Sequence, residues 1–143
     1  MKQAADYSEI VPDRDDLIAR WVCNGLRTDT AWLQNYKVYG IMRNAKIIAG
    51  LIFHNLRRGQ DVWWTIYAKD ARWCNRRILS AFMREAFDVC GCKRINLLVD
   101  TDNEKCLKFV LRLGFKIEGK LRQFREDGKD CLVLGLLKSE NKF

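Results

Sequence analysis

Three side chains near the ends of strand-like runs could exchange a proton: His54, Asp61 and Asp100. His54 is the only histidine of the chain and closes the apolar run "KIIAGLIFH". An imidazole titrates near neutrality and suits a base or an acceptor-site group, although a lone histidine at a strand end is more often structural. Asp61 follows the polar stretch "RRGQ" and suits a turn as well as it suits catalysis. Six cysteines are scattered through apolar runs: Cys23, Cys74, Cys90, Cys92, Cys106 and Cys131. Cys90 and Cys92 form a C-x-C with no second pair and no nearby histidine, so no metal site is expected. Reduced thiols packed as small apolar groups are the simpler reading.

The net charge is +8, from 26 basic and 18 acidic residues. It favours an anionic partner: nucleic acid, an acidic protein, or a phosphorylated cofactor. Trp63, Trp64, Tyr67 and Trp73 lie among arginines, a composition that can stack bases. Strand alternation would put Trp63 and Tyr67 on one face and Trp64 on the other, which makes most of this set core. Nucleic acid is therefore not the favoured partner. A length of 143 residues predicts one domain, 1–143, with room for a real core. No apolar run approaches a membrane span. The stretch "MKQAADYSEIVPDRDD" has no apolar signal core, so a cytoplasmic protein is expected.

The elements that must position these side chains follow from periodicity. Asp13 or a neighbour caps a first helix carrying Leu17, Ile18, Trp21 and Val22, with Gly25 as its stop. Thr28 or Asp29 caps a second, carrying Trp32, Leu33 and Tyr36. "KVYGIM" and "KIIAGLIFH" form a hairpin around "RNA", and "DVWWTIYA" is a third strand after "RRGQ". From Asn75 to Cys90 apolar residues fall at 78, 79, 82, 83, 86, 87 and 90, an amphipathic helix ended by Gly91. "RINLLVD" reads as a strand buried on both faces. Residues 103–113 form a further helix, packed through Cys106, Leu107, Val110 and Leu111. "FKIEGKLRQF" and "DCLVLGLLK" pair around "EDGKD". The order is α-α-β-β-β-α-β-α-β-β. It predicts an α/β (α+β) domain: a mixed, mostly antiparallel sheet of about six strands flanked by about four helices and covered on both faces.

The stretch "NEKCLKFVLRLGFKIEGKLR" stops a helix at a glycine and resumes as a strand. Its pattern N-x-x-C-x-x-x-x-x-x-L-G-F-x-x-E-G-x-L-R resembles the C-terminal signature of GNAT-fold N-acetyltransferases. The closest flavour is the branch acting on ribosomal proteins and polyamines, in a compact form like those of tailed phages. The likeness runs over roughly residues 37–138.

This resemblance implies acetyl-CoA as cofactor and an amine, of a protein or a small molecule, as acceptor. The pantetheine arm would pair with the free backbone of Ile66, Tyr67 and Ala68. The pyrophosphate would rest at "RWCNRR", where Arg72, Cys74, Asn75, Arg76 and Arg77 stand in a glycine-rich motif's place. Arg72 matches that motif, but Asn75 and Arg77 replace its glycines, and Asn75 would need a left-handed backbone to imitate one. Asn103 would cap its helix and also bond the cofactor. The tyrosine acid of many members is Val110 here. Cys106 stands where the ribosomal-protein branch places a serine and could protonate the departing thiolate. His54 and Asp61 are candidates for the base. Residues 25–36 and 55–60 would shape the acceptor site. Exposed strands in the family often pair into homodimers. The degenerate 72–77 loop and the missing tyrosine leave a second reading open, a non-catalytic structural or host-interaction protein of a phage. If phage-encoded, the chain would act in the host cytoplasm.

Overall fold

Runs of β-branched and aromatic residues, cut by short turns, build one sheet. The computed structural model describes residues 8–11 and 15–143. Its strands are β1 (Glu9–Val11), β2 (Lys37–Arg43), β3 (Lys46–Arg57), β4 (Asp61–Ala68), β5 (Arg94–Asp100), β6 (Lys116–Leu121) and β7 (Cys131–Leu137). They lie in the order β1-β2-β3-β4-β5-β7-β6. Every neighbouring pair is antiparallel except β4 and β5, which are parallel. The α-helices are α1 (Asp15–Gly25), α2 (Arg76–Arg84) and α3 (Glu104–Leu113).

The mixed α/β architecture is as the sequence predicts, with differences in detail. A short strand, β1, joins the edge of the sheet, so the strands number seven among the described residues. The expected second helix is absent, leaving three α-helices among the described residues. Residues 26–36 form turns instead: Asp29 accepts from the Ala31 amide at 2.9 Å, and Asn35 takes a left-handed φ of 44°. The expected cap at Asp13 lies outside the described residues. The helix read as 75–90 is α-helical only to Arg84 and then widens into a π-helical turn, Glu85–Val89. The Cys90 amide there donates to the Glu85 carbonyl at 2.9 Å. Gly91, at φ 65°, ends the element as expected.

The core has two parts. α2, the π-helical turn and α3 pack on one face through Ile78, Phe82, Met83, Phe87, Val110 and Leu113 against Val62, Trp64, Ile95, Leu97 and Leu134. Leu111, expected in this contact, is 42% exposed; the buried line runs through Val110 and Leu113, with Phe109 edge-on to Trp73 at 5.7 Å. On the other face α1 lays Ile18, Ala19 and Val22 over Val38 and Ile52. It sits so close that a Cβ on Gly50 would come within 2.3 Å of Val22. Helix α1 covers β2, β3 and β4. The α1-side face of β5, β7 and β6 is not helix-covered among the described residues, and all six residues of β6 are exposed. "RINLLVD" is therefore not sandwiched between helices. Its Ile95, Leu97 and Val99 are buried toward α2 and α3, while Arg94 and Asn96 on the second face are held by polar partners.

Candidate active site

The strands β4 and β5 begin side by side and then part. Their ladder runs from Asp61 opposite Arg94 to Trp64 opposite Leu97 and stops. Beyond it β4 continues to Ala68, still paired with β3, and β5 continues to Asp100, still paired with β7. The sheet thus forks, and the β5-facing backbone of residues 65–68 has no strand partner. Buried backbone donors and acceptors require partners, so such an edge is a place for an extended ligand to add as a strand. At the fork, Trp64 Nε1 is a buried donor without a partner among the described residues.

The free edge leads to the start of α2. Asp70 begins a 3₁₀ turn, Ala71–Trp73, and Asn75 caps α2 by accepting from the Ile78 amide at 2.9 Å. Asn75 is extended (φ −138°, ψ 171°), so the left-handed conformation expected of it is not needed. Arg76 and Arg77 are the first two helical residues, and their amides have no intrahelical acceptor. A helix N-terminus of this kind attracts anions.

The arginines differ in how they are held. Arg72 is locked to Asp70 by Nε at 3.0 Å and Nη2 at 2.5 Å. Arg72 holds the Asp70 carboxyl down at about 2. Arg77 donates to the Ser8 carbonyl, which ties β1 to α2, and Ser8 Oγ donates to the Arg72 carbonyl at 3.0 Å. Arg76 is exposed, reaching the Lys142 carbonyl at 3.2 Å and lying over the Phe143 ring at 5.3 Å. Cys74 is half-buried beside this turn.

Across the fork stands α3. Asn103 accepts from the Cys106 amide at 3.2 Å, the capping role expected of it. Gly114, at φ 107°, closes the helix, with the Phe115 amide donating to the Val110 carbonyl at 3.1 Å. Cys106 is half-buried; burial, and then Asp100, push its thiol up. At neutral pH it is a thiol, able to give a proton and poorly suited to attack. Asp100, at the open end of β5, binds Arg125 at 2.7 Å. Arg125 also donates to Cys131 Sγ at 3.5 Å, a cluster that residue types alone do not announce.

Asp61 stands apart from these groups, at the closed end of the fork. It accepts from Arg57 at 2.6 Å and from Asn96 Nδ2 at 2.8 Å. Asn96 in turn accepts from Arg94 Nε at 2.6 Å, and Arg94 reaches Glu118 at 2.5 Å. The Arg57 hydrogen bond holds the Asp61 carboxyl below its ordinary value. A Cβ on Gly135 would come within 2.1 Å of Arg94, so β7 must be bare where this polar strap crosses.

His54 is buried on the α1 face, where the ring of Trp32 stands edge-on at 4.9 Å. Its Nε2 lies 2.8 Å from Thr65 Oγ1, and its Nδ1 lies 2.6 Å from Asn55 Oδ1. Burial lowers its pKa from 6.5 despite the Asn55 bond. The unfolded chain thus holds more protons than the folded one between the lowered value and 6.5. Stability from this group is expected to be present above 6.5 and to be lost as pH falls through that interval toward the lowered value. Urea unfolding at pH 7.5 and 5.5 checks this: the midpoint is expected to be lower at pH 5.5, and the drop to shrink in His54→Gln.

Among the described residues no cluster of His, Cys, Asp and Glu could hold a metal ion, and no helix is long and apolar enough to cross a membrane.

No family model matches the chain. Its sequence is similar to the L-amino acid N-acetyltransferase AaaT of Escherichia coli (strain K12), 39% identical over 59 residues, 38% of this chain and 36% of that protein. It is also similar to the uncharacterised N-acetyltransferase YoaA of Bacillus subtilis (strain 168), 33% identical over 89 residues, 57% of this chain and 49% of that protein. The matched segments therefore span half or less of those relatives' lengths. The structure superimposes on the spermidine/spermine N-acetyltransferase SpeG from Vibrio cholerae with a TM-score of 0.72, over 96% of both chains at 13% identity. A further acetyltransferase crystal structure gives 0.72 over 94% of this chain and 87% of the other, at 17% identity. The chain has the GNAT fold, and the resemblance carried by residues 103–122 holds for the fold and for similarity to N-acetyltransferases.

Proposed function

We propose that the protein is an acetyl-CoA-dependent N-acetyltransferase acting on an amine of a small molecule or a protein. The observation that carries this reading is the fork after Trp64 and Leu97, whose free β4 edge leads directly to the capped start of α2. The residues fit the cofactor. The backbone of Ile66, Tyr67 and Ala68 would hold the pantetheine arm. The Arg76 and Arg77 amides, with the Arg76 guanidinium, would hold the pyrophosphate, and Asn103 on α3 would bond the cofactor, as the resemblance implies.

Acetyl-CoA supplies an acetyl group activated as a thioester. What the chain adds is placement and charge. Amides near Tyr67 and Ala68 would stabilise the developing oxyanion. Cys106, kept protonated by burial, would give its proton to the leaving sulfur. The acceptor would approach over the α1 face, between residues 26–36 and the Asp100–Arg125 pair. The names of the relatives point to an amino acid or a polyamine, whereas the net charge of +8 would suit an acidic acceptor or an acidic protein surface. The branch, a phage origin, a cytoplasmic site of action and a homodimer remain parts of this proposal.

Isothermal titration with CoA and acetyl-CoA is the test. Binding in the micromolar range is expected. Absence of any heat and of any thermal shift would sink the reading and favour the non-catalytic phage protein.

A further inference from the structure

We propose that Thr65 and His54 together form the proton-accepting pair of the fork. Thr65 is the first residue of β4 beyond the ladder with β5, so its backbone sits where the two strands part. It lies on the α1 face, from which the acceptor would approach. Sequence reading leaves it unremarked, because a threonine in a strand is ordinary.

The direction of the hydrogen bonds carries the argument. Asn55 Oδ1 accepts and cannot donate, so the 2.6 Å contact places the proton of neutral His54 on Nδ1. Nε2 then has only a lone pair to offer, and its 2.8 Å neighbour, the Thr65 hydroxyl, must donate to it. That fixes the hydroxyl hydrogen toward the histidine and leaves the oxygen lone pairs for another donor. A threonine pointing its hydrogen outward would repel an approaching ammonium; this one presents an acceptor. Trp32 closes one side of the ring, and Asn55 occupies Nδ1, so Nε2 exchanges protons through Thr65.

An ammonium N–H gives its proton to Thr65 Oγ1 while the hydroxyl hydrogen moves to Nε2, leaving a neutral amine and an imidazolium. The amine nitrogen bonds to the thioester carbonyl carbon, and the C–S bond breaks with its electron pair on sulfur. The second nitrogen proton goes to that sulfur by way of Cys106 or water. The imidazolium then gives its Nε2 proton back through the Thr65 hydroxyl to water, which restores the Nδ1–H tautomer. The sum is ammonium plus acetyl thioester giving amide, thiol and one released proton. Thr65 is the catalytic residue of the pair; His54 acts through it as a positioning residue that also stores the proton.

This inference rests on the acetyltransferase reading, and the test separates the two. With one histidine in the chain, imidazole ¹⁵N spectra report on His54 alone. The free protein at pH 7.5 is expected to show the Nδ1–H tautomer. Saturation with CoA, followed in parallel by calorimetry, is expected to shift the Nε2 resonance. In Thr65→Val that shift should vanish while CoA still binds, and the tautomers should mix; Thr65→Ser should restore both. With an amine that the protein acetylates, Thr65→Val is expected to lower kcat roughly a hundredfold with little change in KM. An Nε2–H tautomer in the free protein overturns the pair. So does CoA binding that moves the Nε2 resonance equally in the wild type and in Thr65→Val. If CoA does not bind at all, the acetyltransferase reading fails and this pair falls with it.

Discussion

With both Arg76 and Arg77 replaced by alanine, the affinity for CoA is expected to fall at least tenfold. A hydrogen bond to a charged group contributes about 1.5–3 kcal/mol net, and about 1.4 kcal/mol is tenfold in affinity. In the structure Arg76 has partners that are easily exchanged. Arg76 rests on an exposed carbonyl and an aromatic ring, and Arg77 on the carbonyl of Ser8. Arg72 is different, because Asp70 grips it with both carboxylate oxygens. Arg72 matches the family motif, but its pairing with Asp70 leaves Arg76 the more available of the two. Asp70→Asn should therefore tighten CoA binding several-fold, since it removes a negative charge beside the phosphates and frees Arg72. The asparagine can still accept from the Arg72 amide, as Asp70 does now at 2.9 Å. Calorimetric titration of the three proteins decides. Unchanged affinity in the double variant would place the pyrophosphate elsewhere.

Phe115→Ala is expected to lower the unfolding free energy by about 3–5 kcal/mol. A domain of this size has roughly 5–15 kcal/mol in total, so the loss removes a large share of it. Phe115 is 2% exposed and its ring centroid is 6.1 Å from that of Trp64. It follows the left-handed Gly114, which turns the chain from α3 back over the sheet. Truncation leaves a void under Trp64, the last residue of β4 paired with β5. Phe124, at 49% exposed, is the control: its alanine variant should change stability by about 0.5 kcal/mol or less. Urea unfolding of both variants measures the contrast, and a small effect at Phe115 would mean the core closes around the gap.

Much of this architecture is legible in the chain because period and punctuation agree. β4 and β5 have the boundaries that "DVWWTIYA" and "RINLLVD" predict, and the buried stripe from Ile78 to Phe87 follows the helical spacing. Residues 26–36 mislead because Trp32, Leu33 and Tyr36 repeat with a helical interval. They pack against α1 and β3 from turns that Asp29 and Asn35 support. β1 is too short to have a period. The Thr65–His54 contact hides for a finer reason. A simple hairpin closed by Arg57 and Asp61 would set His54 opposite Trp64. An irregularity between His54 and Arg57 slips the register by one residue, so His54 faces Trp63 and shares a face with Thr65. One slipped residue exchanges the two faces of a strand, and no local sequence signal marks it.

The fork has a mechanical consequence. Among the described residues the strand seam between the leaf β1–β4 and the leaf β5–β7–β6 is four residue pairs, Asp61–Trp64 with Arg94–Leu97, extended at its closed end by the Lys93 amide donating to the Gln60 carbonyl at 2.8 Å. Within each leaf the ladders are longer, and the chain of side chains from Arg57 to Glu118 staples the seam at its closed end. The leaves can therefore spread like the covers of a book whose spine is bound at one end. A ligand entering the open end would widen the angle at the seam before it disturbed the ladders inside either leaf. Amide hydrogens along the seam should then exchange with solvent as one unit, separate from those within each leaf.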